Sequence, residues 1–285
     1  MSSGRLFVCA TPIGNLADMS PRAIQVLKDA DLIAAEDTRH TRKLLNHFDI
    51  DTPATSYHHF NRVEKARQLV EQMLGGQTIA LVTDAGTPAI SDPGEELVRL
   101  AHEAGIPVEG VPGPSAAALA LSVSGLVSGR FVFEGFLPQT GKEKKAILAE
   151  IAQENKTMIF YEAPHRLKKT LAQLIETLGD RPACLCHELT KQHESIERAT
   201  LKQLAARFDE EDPRGEYVLL VEGKDAAEAA REEAARWEAV PLAEHMAHYL
   251  EQGMDKKEAM KAVAADRHIS KRDVYQALLE SEDDI

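Results

Sequence analysis

The sequence predicts an α/β protein made of two successive α/β regions and a helical tail, and three observations support this prediction. Short runs rich in Val, Ile, Leu and Ala alternate with amphipathic helical patterns through most of the chain. Several of these runs end in turns built from Gly and Pro. From Pro241 onward the pattern is wholly helical. Alternation of this kind is typical of a largely parallel sheet with helices on its faces.

The first region contains four predicted strands, at 6–10, 31–35, 78–82 and 107–111. A helix is predicted from Pro21 to Ala30, because Ser20 is a good N-cap and proline suits the first helical position. Asp37 or Thr38 would cap a second helix, over 41–48. A stretch rich in Ser and Gly at 122–129 favours a boundary, so the first domain is expected to span 1–124.

The second region contains four further predicted strands, at 131–133, 157–161, 183–186 and 217–221. The tract 224–236, rich in Ala, Glu and Arg, predicts a solvated linker helix. In the tail a helix is predicted over 256–265, and Ser270 would cap another through Leu279. We therefore expect a second domain at 125–226 and a helical region at 227–285. The tail resembles a helix-turn-helix, although a small packing or dimerisation bundle explains the pattern equally well.

Composition excludes several classes of protein. The net charge of -13 over 285 residues argues against a surface that binds nucleic acid or anionic membranes everywhere. No apolar run approaches membrane-spanning length, so we expect a cytoplasmic protein that does not contact a membrane. Cys9, Cys184 and Cys186 are expected to be buried free thiols in a reducing compartment, because a metal site requires more ligands at other spacings.

Three turns follow three of the four strand patterns of the first region, at 11–15, 84–88 and 112–116. Each turn alone could be simple punctuation between elements. In open α/β sheets, however, ligands bind outside the carboxyl ends of strands, so three such turns together predict a cofactor site. The chain has neither the Gly-x-Gly-x-x-Gly spacing of a dinucleotide site nor the Gly-Lys-Ser/Thr of a phosphate loop, which argues against NAD and ATP.

Polar clusters occur at 35–41, 58–62 and 187–194, and basic ones at 141–145 and 166–169. Helix caps and solvated helix starts are their ordinary explanation. Caps do not explain Arg39 and His40, which would suit phosphate contact and proton handling. None of the clusters has the His-Glu-x-x-His order of a zinc helix, so no metal site is predicted.

Seven motifs occur in one order along the chain: Thr11–Leu16, Ala35–Arg39, Asp84–Pro88, Pro112–Ala116, Glu134–Pro138, Phe160–Arg166 and Glu188–Lys191. Together they resemble the tetrapyrrole methylase superfamily, and within it the branch that methylates small-subunit ribosomal RNA. The resemblance covers Leu6 to Gly223. One departure is His187, which stands where an arginine is expected.

The resemblance implies two α/β/α domains of tetrapyrrole-methylase type, with S-adenosylmethionine folded into a cleft between them. It also implies a homodimer that methylates the 2′-hydroxyl of a cytidine in the decoding region of 16S rRNA, within the small ribosomal subunit. By position, the residues expected to contact the cofactor are Pro12, Gly14, Asn15, Asp84, Ala85, Gly86, Thr87, Pro88, Ser115, Ala116, Tyr161 and Glu162.

Methyl transfer is an in-line displacement that depends on alignment and needs no metal, although a base could activate the ribose hydroxyl. We expect the base and the groups that orient the RNA to come from Asp37, His40, Glu188 and Lys191. The basic residues expected to contact RNA phosphates are Arg39, Lys142, Lys144, Lys145 and Arg166. Lys256, Lys257, Lys271 and Arg272 of the tail form a weaker third basic group.

Two alternatives stay open from the sequence. The first is a methylase that acts on a tetrapyrrole or another small molecule with the same cofactor. The basic clusters and the appended tail favour a macromolecular substrate over this one. The second is a ligand-sensing DNA-binding protein, which the acidic end of the chain, with Glu280, Glu282, Asp283 and Asp284, argues against.

Overall fold

The computed structural model describes residues 4–225, 237, 240–267 and 269–283 of the chain. Two compact units are present. The larger comprises Met1–Ala152 and Lys156–Glu222 and contains both β-sheets, and the smaller comprises Gln153–Asn155 and Gly223–Ile285. The division at 124 and 125 that the sequence suggests lies inside the larger unit and stays a prediction.

The first sheet is wholly parallel among its described strands, as the alternating pattern predicts. Its strands are β1 (Arg5–Cys9), β2 (Leu32–Ala35), β3 (Ala54–Ser56), β4 (Thr78–Val82) and β5 (Val108–Val111), in the order β3-β2-β4-β1-β5. The four predicted strands are confirmed within one residue at each end. Strand β3 was not predicted, because Ala-Thr-Ser offers neither an apolar run nor a full alternation.

Helices connect the parallel strands of the first sheet, as such strands require. They are α1 (Pro21–Asp29), α2 (Thr38–His47), α3 (Arg62–Leu74) and α4 (Glu95–Glu103), and α5 (Ala116–Ser124) follows the last strand. The Ser20 hydroxyl accepts a hydrogen bond from the Ala23 amide at 3.1 Å, which confirms the predicted cap. The second helix begins three residues earlier than predicted, because Asp37 caps it and accepts from the Arg39 amide at 2.8 Å.

The second sheet is mixed. Its strands are β6 (Phe131–Phe136), β7 (Thr157–Glu162), β8 (Pro182–His187), β9 (Ser195–Thr200) and β10 (Tyr217–Val221), in the order β6-β7-β10-β8-β9. Strands β6 and β7 pair in parallel, and the other pairings of described strands are antiparallel. Its helices are α6 (Gly141–Ile151), α7 (Pro164–Leu178) and α8 (Leu201–Arg207). The edge strand β9 was not predicted, because its residues are mostly polar and incompletely buried.

Helix α5 belongs to the first half of the chain by sequence but packs on the second sheet. Its buried Ala120 and Leu121 share a hydrophobic cluster with Ile159, Cys184 and Cys186 of that sheet. Burial of these side chains from water stabilises the contact. Because α5 starts at the loop after β5, this packing places the strand ends of the first sheet against the second. All three cysteines are buried free thiols, as expected.

The described residues of the smaller unit form the helices α9 (Leu242–Glu251), α10 (Lys256–Asp266) and α11 (Lys271–Asp283), which confirms the helical tail. Met246, Val263 and Val274 form its core. The Ser270 hydroxyl accepts from the Asp273 amide at 3.2 Å, as predicted. Most of the predicted linker helix, 226–236, lies outside the described residues. Within the described part of the chain, no helix combines the length and the apolar character needed to cross a membrane.

Candidate active site

A cavity of about 440 Å³ lies where the strand-end loops of the first sheet meet the second sheet. A volume of this size is ordinary for a small-molecule site. The cavity is lined by seven of the residues that the sequence analysis assigned to a cofactor: Ala85, Gly86, Thr87, Ser115, Ala116, Tyr161 and Glu162. The predicted meeting of the turns after β4 and β5 is therefore present. We call this space the first cavity.

A second cavity of about 340 Å³ adjoins the first, because Ile13, Ala85 and Glu216 line both. Three more of the expected cofactor residues lie here instead: Pro12, Gly14 and Asp84. The proposed catalytic residues His40 and Lys191 line it as well. Two ligands could therefore bind side by side, with their near ends at the shared wall.

Asn15 and Pro88 complete the expected cofactor set, but they are absent from the described linings of both cavities. The Asn15 side chain accepts a hydrogen bond from the Ala17 amide at 3.0 Å and so caps a short 3-10 helix. Pro88 is buried behind the loop. The contact of Asn15 and Pro88 with the cofactor therefore stays a prediction.

The loops after β1 and β4 are joined by backbone hydrogen bonds. Thr11 and Gly86 exchange two of them, with N–O distances of 2.9 and 3.1 Å. The Thr11 hydroxyl also donates to the carbonyl oxygen of Thr83 at 3.1 Å. Gly86 has φ of +88°, a conformation that side chains disfavour, so glycine suits this point where the backbone borders the first cavity.

Lys191 is held in the second cavity by two carboxylates. Its Nζ lies 2.9 Å from Oε1 of Glu188 and 2.7 Å from Oε2 of Glu216. The same Glu188 oxygen accepts from the Glu216 amide at 2.9 Å. Glu188 and Thr190 adopt φ of +49° and +66°, a strained conformation that these contacts maintain.

These contacts determine the charges of the Lys191 and Glu188 side chains. Burial by itself would lower the pKa of Lys191, but its hydrogen bonds to Glu216 and Glu188 outweigh burial and raise it. Burial likewise opposes ionisation of Glu188, yet the hydrogen bonds from Lys191 and the Glu216 amide hold the pKa of that carboxyl below its ordinary value. Lys191 is therefore a fixed cation, suited to orienting an anionic group rather than to removing a proton.

Asp37 does not line either cavity in the described structure. Its carboxylate caps α2 and lies 2.8 Å from Nη2 of Arg39. Hydrogen bonds from the Arg39 side chain and amide hold the pKa of Asp37 far below its usual range. The expected role of Asp37 as a general base is therefore disfavoured, because a carboxylate of such low pKa is a weak proton acceptor.

Asp92 lines the first cavity, and the sequence analysis missed it. Burial, followed by repulsion from Glu36 and Asp84, raises the pKa of Asp92 to about 7, although a hydrogen bond with Thr83 opposes the rise. Burial also raises the pKa of Asp84. A carboxyl group with a pKa near neutrality in a cleft is typical of functional sites. The Ser91-Asp92-Pro93-Gly94 turn, which follows the motif at 84–88, was the available signal.

The five residues expected to contact RNA differ in accessibility. Arg39, Lys142 and Lys145 are exposed. Lys144 is only 6% exposed, and burial together with nearby Lys169 and Arg166 lowers its pKa. Burial of this side chain disfavours a contact with RNA, and the role of Lys144 stays a prediction.

Arg166 also makes its contacts within the protein. Its Nε lies 3.2 Å from Oε1 of Glu162, and its Nη2 donates to the carbonyl oxygen of Leu137. Glu162 is 2% exposed and also accepts from the Thr170 hydroxyl and the Ala163 amide. Arg166 thus neutralises a buried carboxylate at the edge of the first cavity and has limited freedom to contact a phosphate.

Metal ligation has no support among the residues that the structure describes. They contain no group of three or more His, Cys, Asp or Glu side chains arranged to hold a metal ion.

The sequence places this chain in the tetrapyrrole methylase class, and the fold agrees with that class. The sequence profile of the Tetrapyrrole (Corrin/Porphyrin) Methylases matches residues 5–205. A similar fold occurs in a uroporphyrin-III C-methyltransferase from Thermus thermophilus complexed with S-adenosyl homocysteine, with a TM-score of 0.56 and coverage of 76% of this chain and 97% of that one. Another occurs in a diphthine synthase, with a TM-score of 0.61 and coverage of 78% of this chain and 90% of that one. Sequence identities are 20% and 16%, so these structures establish the fold alone.

Much closer relatives bear the name Ribosomal RNA small subunit methyltransferase I. The protein from Halalkalibacterium halodurans is 48% identical, with 95% of this chain and 93% of the relative covered. The protein from Bacillus subtilis is 46% identical, with 96% of this chain and 94% of the relative covered. The protein from Synechocystis is 45% identical, with 99% of each chain covered. The chain therefore belongs to the ribosomal RNA small subunit methyltransferase I family.

Proposed function

We propose that this protein transfers a methyl group from S-adenosylmethionine to the 2′-hydroxyl of a cytidine in the decoding region of 16S rRNA. The observation that supports this proposal most strongly is the pair of adjoining cavities in a member of this family. Methyl transfer requires two bound partners whose reacting atoms meet in line. The shared wall at Ile13 and Ala85 provides a meeting point of that kind.

The first cavity fits S-adenosylmethionine, which supplies a methyl group on a positively charged sulfur when bound. Gly86 lets the backbone border the cavity, and the hydroxyls of Thr87 and Ser115 provide polar groups on its wall. Leu189 and Val218 supply apolar surface. Asp92 adds a carboxylate that suits a cationic ligand, because opposite charges attract most strongly away from bulk water.

The second cavity suits the ribose and phosphate of the acceptor nucleotide. Lys191 presents a fixed positive charge there, suited to a phosphate oxygen. His40 and Asp84 line the same cavity and are side chains that can accept a proton from the ribose hydroxyl. Of the two aspartates considered, Asp84 is the better acceptor, because its pKa is raised whereas that of Asp37 is lowered.

We further propose that the protein acts in the cytoplasm as a homodimer on the small ribosomal subunit, without a metal and without a membrane partner. Recognition of a 2′-hydroxyl would explain a preference for RNA over DNA. A tetrapyrrole substrate is not favoured, because identity to the ribosomal RNA enzymes is 45–50%, against 16–20% to the solved enzymes of similar fold.

The deciding experiment maps 2′-O-methyl groups in small-subunit rRNA from cells with and without the gene. We expect one methylated cytidine in the decoding region to disappear without the gene and to return on complementation. A parallel assay offers labelled S-adenosylmethionine with either unmodified small subunits or a porphyrinoid. Label in the porphyrinoid alone, or unchanged rRNA methylation in the deletion, would refute the proposal.

The roles within the second cavity are tested by single variants of His40, Asp84 and Lys191. We expect His40→Ala and Asp84→Asn to lower kcat. We expect Lys191→Met to lower kcat and also to raise KM for small subunits. Cofactor affinity, measured by calorimetry, serves as the control for folding. Near-normal turnover in all three variants would contradict the assignment of this cavity to the acceptor.

A further inference from the structure

A short turn after β3 presents one aromatic side chain to solvent. Phe60 lies in this turn, from His58 to Asn61, and is 94% exposed. Single exposed apolar residues are common on protein surfaces and need no special role. The turn is distinguished by its hydrogen bonds and by the charges around it.

Asn61 holds the turn from both sides. Its side-chain oxygen accepts from the His58 amide at 2.9 Å, and its side-chain nitrogen donates to the Ser56 carbonyl oxygen at 3.3 Å. The Asn61 amide also donates to the His58 carbonyl oxygen at 3.1 Å. A turn fixed in this way presents Phe60 outward with little further loss of conformational entropy on binding.

The surroundings of Phe60 are aromatic and basic. The imidazole rings of His58 and His59 lie edge-on to its ring, with centroid distances of 6.1 and 6.0 Å. Arg62 Nη1 lies 3.3 Å from Nδ1 of His59. An exposed aromatic ring beside a guanidinium group is the combination that stacks on unpaired nucleobases and pairs with their phosphates.

Helix α2 lies beside this turn and is the most basic helix of the larger unit. It carries Arg39, His40, Arg42, Lys43 and His47, all exposed, and no acidic residue between Thr38 and His47. The turn and the helix are neighbours because β2 and β3 pair in parallel and the Tyr57 amide donates to the Ala35 carbonyl oxygen at 2.7 Å. In a chain of net charge -13, this concentration of cations is a local feature.

The same helix reaches the second cavity. His40, Thr41 and Lys43 line it. Thr41 is 2% exposed, and among the described residues its hydroxyl has no hydrogen-bond partner. A buried hydroxyl without a hydrogen-bond partner costs free energy, so a polar ligand in this cavity would supply the hydrogen bond that the protein does not make.

We infer that Phe60 stacks on an unpaired base of the RNA that flanks the methylated nucleotide. Arg42 and Lys43 contact the phosphates between that base and the methylated nucleotide. The inference rests on the proposed function and extends it to a substrate-positioning residue outside both cavities. The proposed occupant is single-stranded RNA, because the exposed ring lies next to His59 and its partner Arg62, and because the basic helix α2 starts at the same edge of the sheet and lines the second cavity.

The test compares Phe60→Ala, Phe60→Leu and Phe60→Trp in methyl transfer to unmodified small ribosomal subunits. Loss of one stacked base weakens binding about 5- to 150-fold, so we expect KM for subunits to rise by that factor in the Ala and Leu variants. The Trp variant should retain near-normal KM, because it keeps an aromatic face. We expect kcat at saturating subunits, cofactor affinity and thermal stability to stay unchanged in all three.

Leu74→Ala is the matched control, because Leu74 is an exposed apolar residue at the opposite end of the helix that begins at Arg62. Unchanged KM in Phe60→Ala would overturn the inference. Equal KM in the Leu and Trp variants would also overturn it and indicate an apolar contact with a ribosomal protein instead. Absence of methyl transfer by the unaltered protein would instead refute the proposed function.

Discussion

Gly14 and Lys191 approach so closely that a Cβ atom on Gly14 would lie 2.5 Å from Cγ of Lys191. The glycine follows β1 of the first sheet, and the lysine follows β8 of the second. Their contact therefore joins loops of the two sheets in the wall of the second cavity. It also explains why the residue at position 14 must have no side chain, since the aliphatic stem of Lys191 occupies that space.

Replacement of Gly14 by Ala should displace Lys191 from its two carboxylate partners. We expect kcat/KM for subunit methylation to fall at least about tenfold, a loss of roughly 1.4 kcal/mol of transition-state stabilisation, while cofactor affinity changes less. Steady-state kinetics and calorimetry measure the two effects. Gly129→Ala is the control, because a Cβ there has no neighbour within 4 Å. Normal kinetics of Gly14→Ala would show that Lys191 has no positioning role.

Asp92 should make the ligand-free protein less stable as pH rises. Its pKa of about 7 exceeds the ordinary 3.8, so between these values the folded state keeps a proton that the unfolded chain releases. Its contribution is thus most favourable below pH 4 and declines until pH 7. Relative to the unaltered protein, Asp92→Asn should gain about 1–2 kcal/mol in free energy of unfolding between pH 4 and pH 8.

Urea denaturation at several pH values measures this difference. The relevant neighbours, Glu36, Asp84, Thr83 and Tyr161, remain in the variant, so the change in slope reports on Asp92 itself. Parallel pH profiles for the two proteins would indicate that Asp92 titrates in its ordinary range.

Arg166 and Lys142 should respond to mutation in opposite ways. Arg166→Ala leaves the buried Glu162 carboxylate without its cation, so we expect a loss of about 2–4 kcal/mol in stability. Lys142→Ala removes an exposed charge and should leave stability unchanged while weakening salt-sensitive binding to small subunits. Thermal denaturation and binding at two salt concentrations separate these effects. A stable Arg166→Ala variant with weakened RNA binding would restore the phosphate contact first expected for Arg166.

Tyr161 should contribute to stability through its hydroxyl. That oxygen accepts from the Ala117 amide at 3.1 Å, and the Ser115 side chain at the start of α5 makes no cap hydrogen bond. Tyr161→Phe leaves a helix N-terminal amide without an acceptor, so we expect a cost of about 1–2 kcal/mol. Denaturation of this variant is compared with that of Tyr275→Phe, whose side chain is exposed. Equal stability of the two variants would show that water replaces the phenol oxygen.

Local signals predicted most of the fold. Ser20 with Pro21 specified the start of α1, and the apolar run Thr78–Val82 specified β4. The strands that escaped detection, β3 and β9, have few apolar residues and are held by pairing with β2 and β8. Pairing between distant segments leaves no local pattern, so periodicity could not reveal these strands.

The site was predicted less completely, for a related reason. Turns at strand ends identified Gly86, Ser115 and their neighbours, because topology alone brings such turns together. The environment of a single side chain depends on contacts that the sequence does not display. Burial distinguishes Lys144 from Lys145, and burial together with repulsion from Glu36 distinguishes Asp92 from surface aspartates.

Helix α5 has a consequence for any attempt to divide this protein. It continues the last strand of the first sheet, yet its apolar face completes the interior of the second. A cut after Ser124 would leave helix α5 in the first fragment without its packing surface. A cut before Ala116 would separate Ser115 from Ala116, two residues that line the first cavity. Neither fragment would contain the complete lining of the first cavity, so ligand affinity should return only when the complementary fragments reassociate.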